Sequence, residues 1–427
     1  MSASPHPSTR RRFLRHCAIG GAALASLSAS RTLAAAPSSP RPRPRLLTLR
    51  HTTLPDPDGH HAALRLKGDW LLVGIGDDQH VGLGEISHNG DDPACLRRVR
   101  ELFEAHIAGA PGGFELNLAA ITALDGGVFA TAPDFITATA ISGLNQALLD
   151  LVAQRAGVPV WRLFRPEGAP VRAEVPCYFT LNRVLRARAI PDFLRAVESA
   201  RALGVEAIKL TPFEAVTRDG DQLAQAAEGF ARLAAVRKEF PRLSLRVDCH
   251  ERFTPAAAAA LLPRFAALGL DWLEEPCPPG PALGNLRAQS KLPLAVGELF
   301  FGEDRFRELL ESGWADVIMP DPKHVGGFSA LVRVCRMAEK LSGQVSPHNP
   351  SGPVAACAAL QTAALSPAVT SVELILTSDP ARQPCRELLQ GGNLRLPDAP
   401  GWGLPGKIRD LLRSGSYPWY RVVRNRF

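Results

Sequence analysis

The sequence predicts an α/β chain in which a (β/α)₈ barrel follows a smaller N-terminal α+β domain, and three observations predict it. Eight short, almost wholly apolar runs lie between Val175 and Leu376, separated by stretches of helical period. Such runs are strands buried on both faces of a parallel sheet, and eight of them in about 200 residues imply closure into a barrel. Upstream, Leu46 to Ile86 reads as strands and Leu96 to Ala156 as helices, without the strand-helix repeat. Finally, acids end three successive barrel runs: Asp248 in Val247-Asp248-Cys249-His250-Glu251-Arg252, Glu274 in Trp272-Leu273-Glu274-Glu275-Pro276, and Glu298 in Ala295-Val296-Gly297-Glu298.

The 427 residues, 46% of them hydrophobic, can bury a large core, and 36 Gly with 37 Pro suit many short loops. The formal charge of +7 is concentrated: Arg10, Arg11, Arg12, Arg15 and Arg31 lie in the first 36 residues, which contain no acid. The remainder carries 44 basic against 42 acidic residues, a net +2, and no nucleic-acid footprint. Thr9-Arg10-Arg11-Arg12-Phe13-Leu14-Arg15, the apolar stretch Ala18 to Leu27 and Ala34-Ala35-Ala36 read together as a twin-arginine export signal over 1–36. A periplasmic or exported protein is expected. The apolar stretch is too short and too rich in Gly, Ala and Ser for a stable membrane span, and no later stretch approaches that length. Eight Cys show no CxxC or Cys/His ligand spacing, and a protein exported already folded keeps them as free, mostly buried thiols.

Residues 37–45 form a Pro, Ser and Arg linker. The α+β domain spans 46–170: strands at Leu46 to Arg50, Ala62 to Leu66, Trp70 to Ile75 and Val81 to Ile86, then helices at Leu96 to Ile107, Leu116 to Leu124 and Thr137 to Ala156. The last is read as amphipathic, stopping at Gly157 with Pro159 beyond. The barrel spans 171–384, with strands at Val175 to Leu181, Ala207 to Thr211, Leu243 to Cys249, Trp272 to Pro276, Leu294 to Glu298, Asp316 to Asp321, Gln344 to Asn349 and Ser371 to Leu376. Helices lie between them, one at Pro255 to Leu268 with Thr254 as N-cap and Pro255 at its first position. The segment 385–427, with Trp402, Trp419 and Tyr420, is expected to pack back on the first domain.

Barrel strand ends converge on one rim, so Asp248, Glu274 and Glu298 can share one cation. Three oxygen ligands without Cys or His favour Mg²⁺. Lys209, Thr211, Asp321, His348 and Glu373 end further strands, and His250 lies two residues after Asp248, on the same face of a continued strand. Paired or bridging roles remain open for Lys209 and Glu373.

With these motifs the chain resembles the enolase superfamily, mandelate racemase subgroup, and within it the galactonate dehydratase-type acid-sugar dehydratases. The resemblance rests on Asp248-Cys249-His250, Ala207-Ile208-Lys209-Leu210-Thr211-Pro212-Phe213 and Pro347-His348-Asn349-Pro350-Ser351-Gly352-Pro353. It implies a modified barrel under an N-terminal capping domain, and Mg²⁺ held by Asp248, Glu274 and Glu298. His348 is implied as the base that removes the α-proton, Asp321 as its partner and Glu373 as the eighth-strand acid; His250, facing the same pocket, can give the proton that the leaving β-hydroxyl needs. Lys209, Arg252 and Asn349 are the substrate-binding candidates. The expected substrate is a small acid sugar and the expected assembly a homo-oligomer. Thr211 stands where the racemase pattern has a second Lys, and Glu251 and the loop His51 to His61 also depart from the pattern, so the particular sugar acid stays open. Lys323 is a rival base, which would make the protein a racemase, epimerase or cycloisomerase of the same superfamily. An exported sugar-acid-binding protein without turnover is the alternative from another class.

Overall fold

The computed structural model describes residues 47–58, 69–77, 79–111, 113–165, 168, 171–404, 406–413 and 418–421. The export signal, the linker, the run expected at Ala62 to Leu66 and the last three residues of the loop His51 to His61 lie outside them. Strands β1 (Thr48–Leu54), β2 (Trp70–Gly76) and β3 (Val81–Glu85) form an antiparallel sheet in that order. Helices α1 (Asp92–Phe103), α2 (Leu118–Gly126) and α3 (Phe135–Ala156) follow, capped by Asp91, Asn117 and Asp134, whose side chains each accept from a first-turn N–H. Gly157 ends α3 at φ 69°, a left-handed conformation that glycine adopts at no steric cost.

The expectation of an amphipathic α3 is corrected: every residue from Thr137 to Leu151 is buried. On one side the sheet comes within backbone contact. A Cβ at Gly84 would lie 1.9 Å from the Gly143 carbonyl oxygen, and one at Gly82 2.1 Å from that of Ala147. On the other side the barrel covers it, and the polar residues of α3 bond to both layers. Gln146 accepts from the Glu85 N–H and donates to the Pro322 carbonyl, while Asn145 accepts from the Phe328 N–H. Among the described residues α3 alone is long and apolar enough to cross a membrane, but 83% of its most apolar window is buried in protein, as befits a core helix.

After the short α4 (Val160–Leu163) the barrel runs β4 (Glu174–Thr180), α5 (Ile190–Ala202), β5 (Ala207–Leu210), α6 (Gln222–Glu239), β6 (Ser244–Asp248), α7 (Pro255–Ala266), β7 (Trp272–Glu274), α8 (Pro281–Gln289), β8 (Leu294–Val296), α9 (Glu303–Glu311), β9 (Val317–Ile318), α10 (Phe328–Lys340), β10 (Gln344–Val345), α11 (Pro353–Thr362) and β11 (Val372–Ile375). Neighbours pair in parallel from β4 to β10, β11 pairs with β4, and a Val345 to Val369 bridge closes the ring. Each strand overlaps an expected run, and Thr254 caps α7 ahead of Pro255 as read. The strands are shorter than expected at their C-terminal ends. There the backbone leaves the ladder: His250, Glu251, Glu275 and Gly297 all have positive φ, so the chain turns toward the rim as soon as pairing stops.

The short α4 and the elements after β11 went unread. The hairpin β12 (Leu389–Gln390) and β13 (Asn393–Arg395) pairs antiparallel with the start of β4. Its turn is Gly391-Gly392, both at positive φ, which is a strong two-residue hairpin signal. The chain then crosses to the first sheet. The Trp402 N–H donates to Asp150 on α3, its indole donates to the Leu83 carbonyl, and after α12 (Gly406–Arg413) the pair β14 (Tyr420–Arg421) adds to β1.

Inside the barrel Tyr178, Trp272, Ala295, Val317 and Met319 form the apolar fill. The Arg246 guanidinium stacks between the Tyr178 and Trp272 rings, 4.4 and 4.3 Å from their centroids. Glu85 ties the first domain to the rim: its carboxylate accepts from the Gly352 and Ala355 N–H groups at the start of α11, where an anion is favoured. All seven described cysteines are free and buried.

Candidate active site and metal site

A cavity of about 490 Å³ opens where the barrel strands end, lined among others by Lys209, Asp248, His250, Glu298, His348 and Glu373. Six of the residues read as strand-end chemistry thus meet in one space. Glu274 and Asp321 lie just behind the wall, each fully buried.

The floor is an acid cluster with one lysine in it. Lys209 Nζ is 2.6 Å from Glu274 Oε1, 3.0 Å from Glu373 Oε1 and 3.9 Å from Asp248 Oδ2. Burial works against the Lys209 charge, but Glu274 and Glu373 outweigh it and hold the ammonium well above its ordinary range. The second Glu274 oxygen accepts from the Trp272 indole at 3.0 Å. The structure therefore makes Lys209 the bridge among the acids.

Asp248, His250 and Glu298 each offer a ligand atom within 4.8 Å of the others. Glu274 was read as the third ligand; here its oxygens turn to Lys209 and Trp272 instead. A carboxylate oxygen keeps a second lone pair, so these bonds leave it able to meet a cation. The acids fit a hard divalent ion on two counts. Among the described residues, buried Glu298 Oε2 has no hydrogen-bond partner. Burial, helped by neighbouring acids, pushes Glu274 up to about 8 and Glu275 up to about 7, and raises Glu298 well above the usual range. So much buried carboxylate charge calls for a cation. His250 suits Mg²⁺ poorly as a ligand, because that ion takes oxygen.

Each histidine is oriented by a carboxylate. His348 Nδ1 is 2.9 Å from Asp321 Oδ2, and Nε2 lies 3.1 Å from Glu298 Oε2. Burial would raise the Asp321 carboxyl, but Lys323, His324 and His348 outweigh it and keep it ionised far below its usual range. His250 Nδ1 is 3.1 Å from Glu214 Oε1 and its Nε2 is 2.9 Å from Asp248 Oδ2. Against burial, Asp248 and Glu214 hold the His250 imidazolium well above its ordinary pKa.

The reason His250 meets Asp248 differs from the one expected. β6 stops at Asp248, and His250 sits at φ 48° with its N–H on Asp248 Oδ1 at 2.9 Å. A tight turn closed by the aspartate brings them together, not strand alternation.

Arg252 lines the cavity with Nη2 2.5 Å from Glu214 Oε2. Asn349 is not among the lining residues; its backbone N–H donates to Glu373 Oε2, and among the described residues its buried amide has no partner. Lys323 also lines the cavity, its ammonium 2.5 Å from the same Asp321 oxygen that His348 uses. Sequence reasoning missed Glu214, Arg183, His88 and His324. Glu214 follows Thr211-Pro212-Phe213 at the end of a strand, the one signal available for it. Arg183, 2% exposed, is ion-paired to Asp56 and donates to His88, which is bonded to Ser351.

Barrel, covering domain and rim acids together define an enolase-type fold, and residues 192–408, over half of the chain, match the enolase C-terminal domain-like family. The chain belongs to that family and so to the enolase superfamily. More particularly, it is 28% identical over 372 residues to D-galactonate dehydratase of Ralstonia nicotianae, covering 84% of this chain and 94% of the relative. The D-galactonate dehydratase of Cronobacter sakazakii is 29% identical over 301 residues, covering 69% and 75%. Among solved structures, an enolase protein from Sargasso Sea environmental sequencing superposes with TM-score 0.70 at 26% identity, covering 90% of this chain and all of that one. A mandelate racemase/muconate lactonizing enzyme-like protein from Rubrobacter xylanophilus has the same fold, with TM-score 0.71 at 24% identity, covering 84% and 95%.

Proposed function

We propose that this enzyme is a hydro-lyase that dehydrates an acid sugar, an aldonate or similar, to a 2-keto-3-deoxy acid with Mg²⁺ as cofactor. The observation that carries the reading is that two carboxylate-oriented histidines, His348 on Asp321 and His250 on Glu214, line one cavity over an acid cluster. The relatives named as dehydratases support the reaction class.

His348 gives its Nδ1–H to Asp321, so Nε2 is the bare nitrogen that takes the proton α to the substrate carboxylate. Charged His250 donates a proton to the β-hydroxyl as its C–O bond breaks, and water leaves. The enol that remains tautomerises to the 2-keto-3-deoxy acid. Asp248, Glu274 and Glu298 would hold Mg²⁺, which would supply positive charge to stabilise the negative charge that develops when the α-proton leaves. Lys209 balances Glu274 and Glu373, and Arg252 sits at the wall with donors for the substrate.

A racemase or epimerase needs a second base. Thr211 stands at that position and takes a bond from Arg188, and Lys323 is occupied by Asp321. Proton NMR of the enzyme with Mg²⁺ and a panel of aldonates in D₂O tests the proposal. A 2-keto-3-deoxy product is expected. Exchange of the α-proton without that product transfers the function to an epimerase, and neither signal leaves a binding protein. Export through the twin-arginine pathway and homo-oligomeric assembly complete the proposal.

A further inference from the structure

His324 lines the active-site cavity, 3% exposed, and the reaction proposed above gives it no task. Its ring lies 4.4 Å from that of Phe135 on α3, tilted by 37°. Its Nδ1 is 2.9 Å from Thr139 Oγ1, also on α3. The Thr139 hydroxyl already donates to the Phe135 carbonyl at 2.8 Å. A hydroxyl has one hydrogen. Thr139 Oγ1 therefore only accepts from the imidazole, so the proton of His324 is on Nδ1 and Nε2 keeps its lone pair. Among the described residues Thr139 is the one side chain hydrogen-bonded to the imidazole, and the Lys323 backbone beside it also favours a ring N–H.

Protonation does not spoil this arrangement. Burial, with Lys323 and His348 adding to it against Asp321, lowers the His324 pKa to about 3. Of the other polar groups at the wall, Arg183, Arg252 and Lys323 donate and Glu214 and Glu298 are carboxyls, while Thr180 Oγ1, Asn182 Oδ1 and His348 Nε2 can also accept, the last of them given the α-proton in the reaction proposed above. A neutral acceptor with a free lone pair is a different instrument. It is satisfied by an O–H group of a ligand and left unpaired by a ligand that lacks one, and that asymmetry discriminates hydroxylated from deoxygenated molecules.

We propose that His324 is a specificity residue that reads a substrate hydroxyl: its Nε2, bared by the Thr139–Nδ1 bond, accepts the hydrogen of one hydroxyl on the sugar-acid chain. The statement about the substrate rests on the acid-sugar reading, whereas the statement about the ring stands by itself, and the experiment separates the two. Nitrogen NMR of the Mg²⁺-loaded enzyme labelled in its histidines, with His324 assigned by comparison with His324→Phe, reports the two ring nitrogens. A protonated Nδ1 and a bare Nε2 that persist on both sides of neutral pH are expected; an imidazolium or the opposite tautomer overturns the proposal. The second arm compares kcat/KM for aldonates and their mono-deoxy counterparts. His324→Phe is expected to reduce discrimination at one carbon by about tenfold, the worth of one neutral hydrogen bond in a dry site, and His324→Gln, which can present an amide oxygen near the Nε2 position, to restore part of it. Equal loss for every aldonate and its deoxy counterpart shows a merely structural ring and overturns hydroxyl recognition. Should wild-type enzyme dehydrate no aldonate, the acid-sugar reading falls, while the nitrogen spectrum still decides the state of the ring.

Discussion

His348 Nδ1 sits 2.9 Å from Asp321 Oδ2, and His250 stands on a separate carboxylate, Glu214. The two imidazoles are therefore poised independently, and their losses should differ. His250→Asn is expected to slow elimination by about 10²- to 10⁴-fold, the usual worth of a general acid, while the α-proton of the substrate still exchanges in D₂O. His348→Asn should do neither. If His348→Asn exchanges and Lys323→Ala does not, the base is Lys323 and the dehydratase reading is wrong.

Glu214 holds both His250 and Arg252. Glu214→Gln removes the charge but keeps the length, and should lower kcat by about 10- to 100-fold, the range for one hydrogen bond to a charged partner. Exchange of the α-proton should persist, because the His348 pair is untouched. A variant with normal kcat would show that His250 needs no carboxylate behind Nδ1.

Glu274 is the most exacting test of the metal proposal, since its oxygens are bonded to Lys209 and Trp272. Glu274→Gln is expected to stay folded, to lose most activity and to require far more Mg²⁺, read by titrating activity after chelation. Unchanged Mg²⁺ dependence would reduce Glu274 to a counterion for Lys209.

Asp150, 2% exposed, accepts from the Leu83 and Trp402 N–H groups and from Gln154. Burial nevertheless raises it to about 7 against these three bonds. An acid with a raised folded pKa binds its proton more tightly folded than unfolded. Its contribution to stability is full below about pH 4, the unfolded value, and is lost as pH rises through about 7. Asp150→Asn cannot titrate, so the stability of wild type relative to the variant should fall across that window and level off above it in urea unfolding. A constant difference would mean that the N–H donors win over burial.

The export proposal concerns Arg10 and Arg11. Replacing both by Lys should leave full-length protein in the cytoplasm, seen by fractionation and mass. Processing at the wild-type rate would remove the twin-arginine assignment.

By itself the sequence determined the order of the barrel strands and helices, the cap Thr254, and the residues that end the strands, because these follow from apolar period and turn chemistry within a few residues. From them the rim set of Asp248, Glu274, Glu298, Asp321, His348 and Glu373 was legible before any coordinate. Its limits are seen in α3, whose run of apolar and small residues cannot say how many sides will be covered. Only the tertiary structure decided who pairs with whom: Lys209 among three acids, Glu214 behind His250, Arg183 on Asp56, and Thr139 against His324 from 185 residues away. Such contacts depend on the path of the chain where it leaves each strand, at left-handed residues such as His250 and Glu275, and on which face of the covering domain is laid over the barrel. No local pattern encodes those distances. They arise when the barrel closes and the sheet packs on α3, since burial then forces each polar group to find its partner.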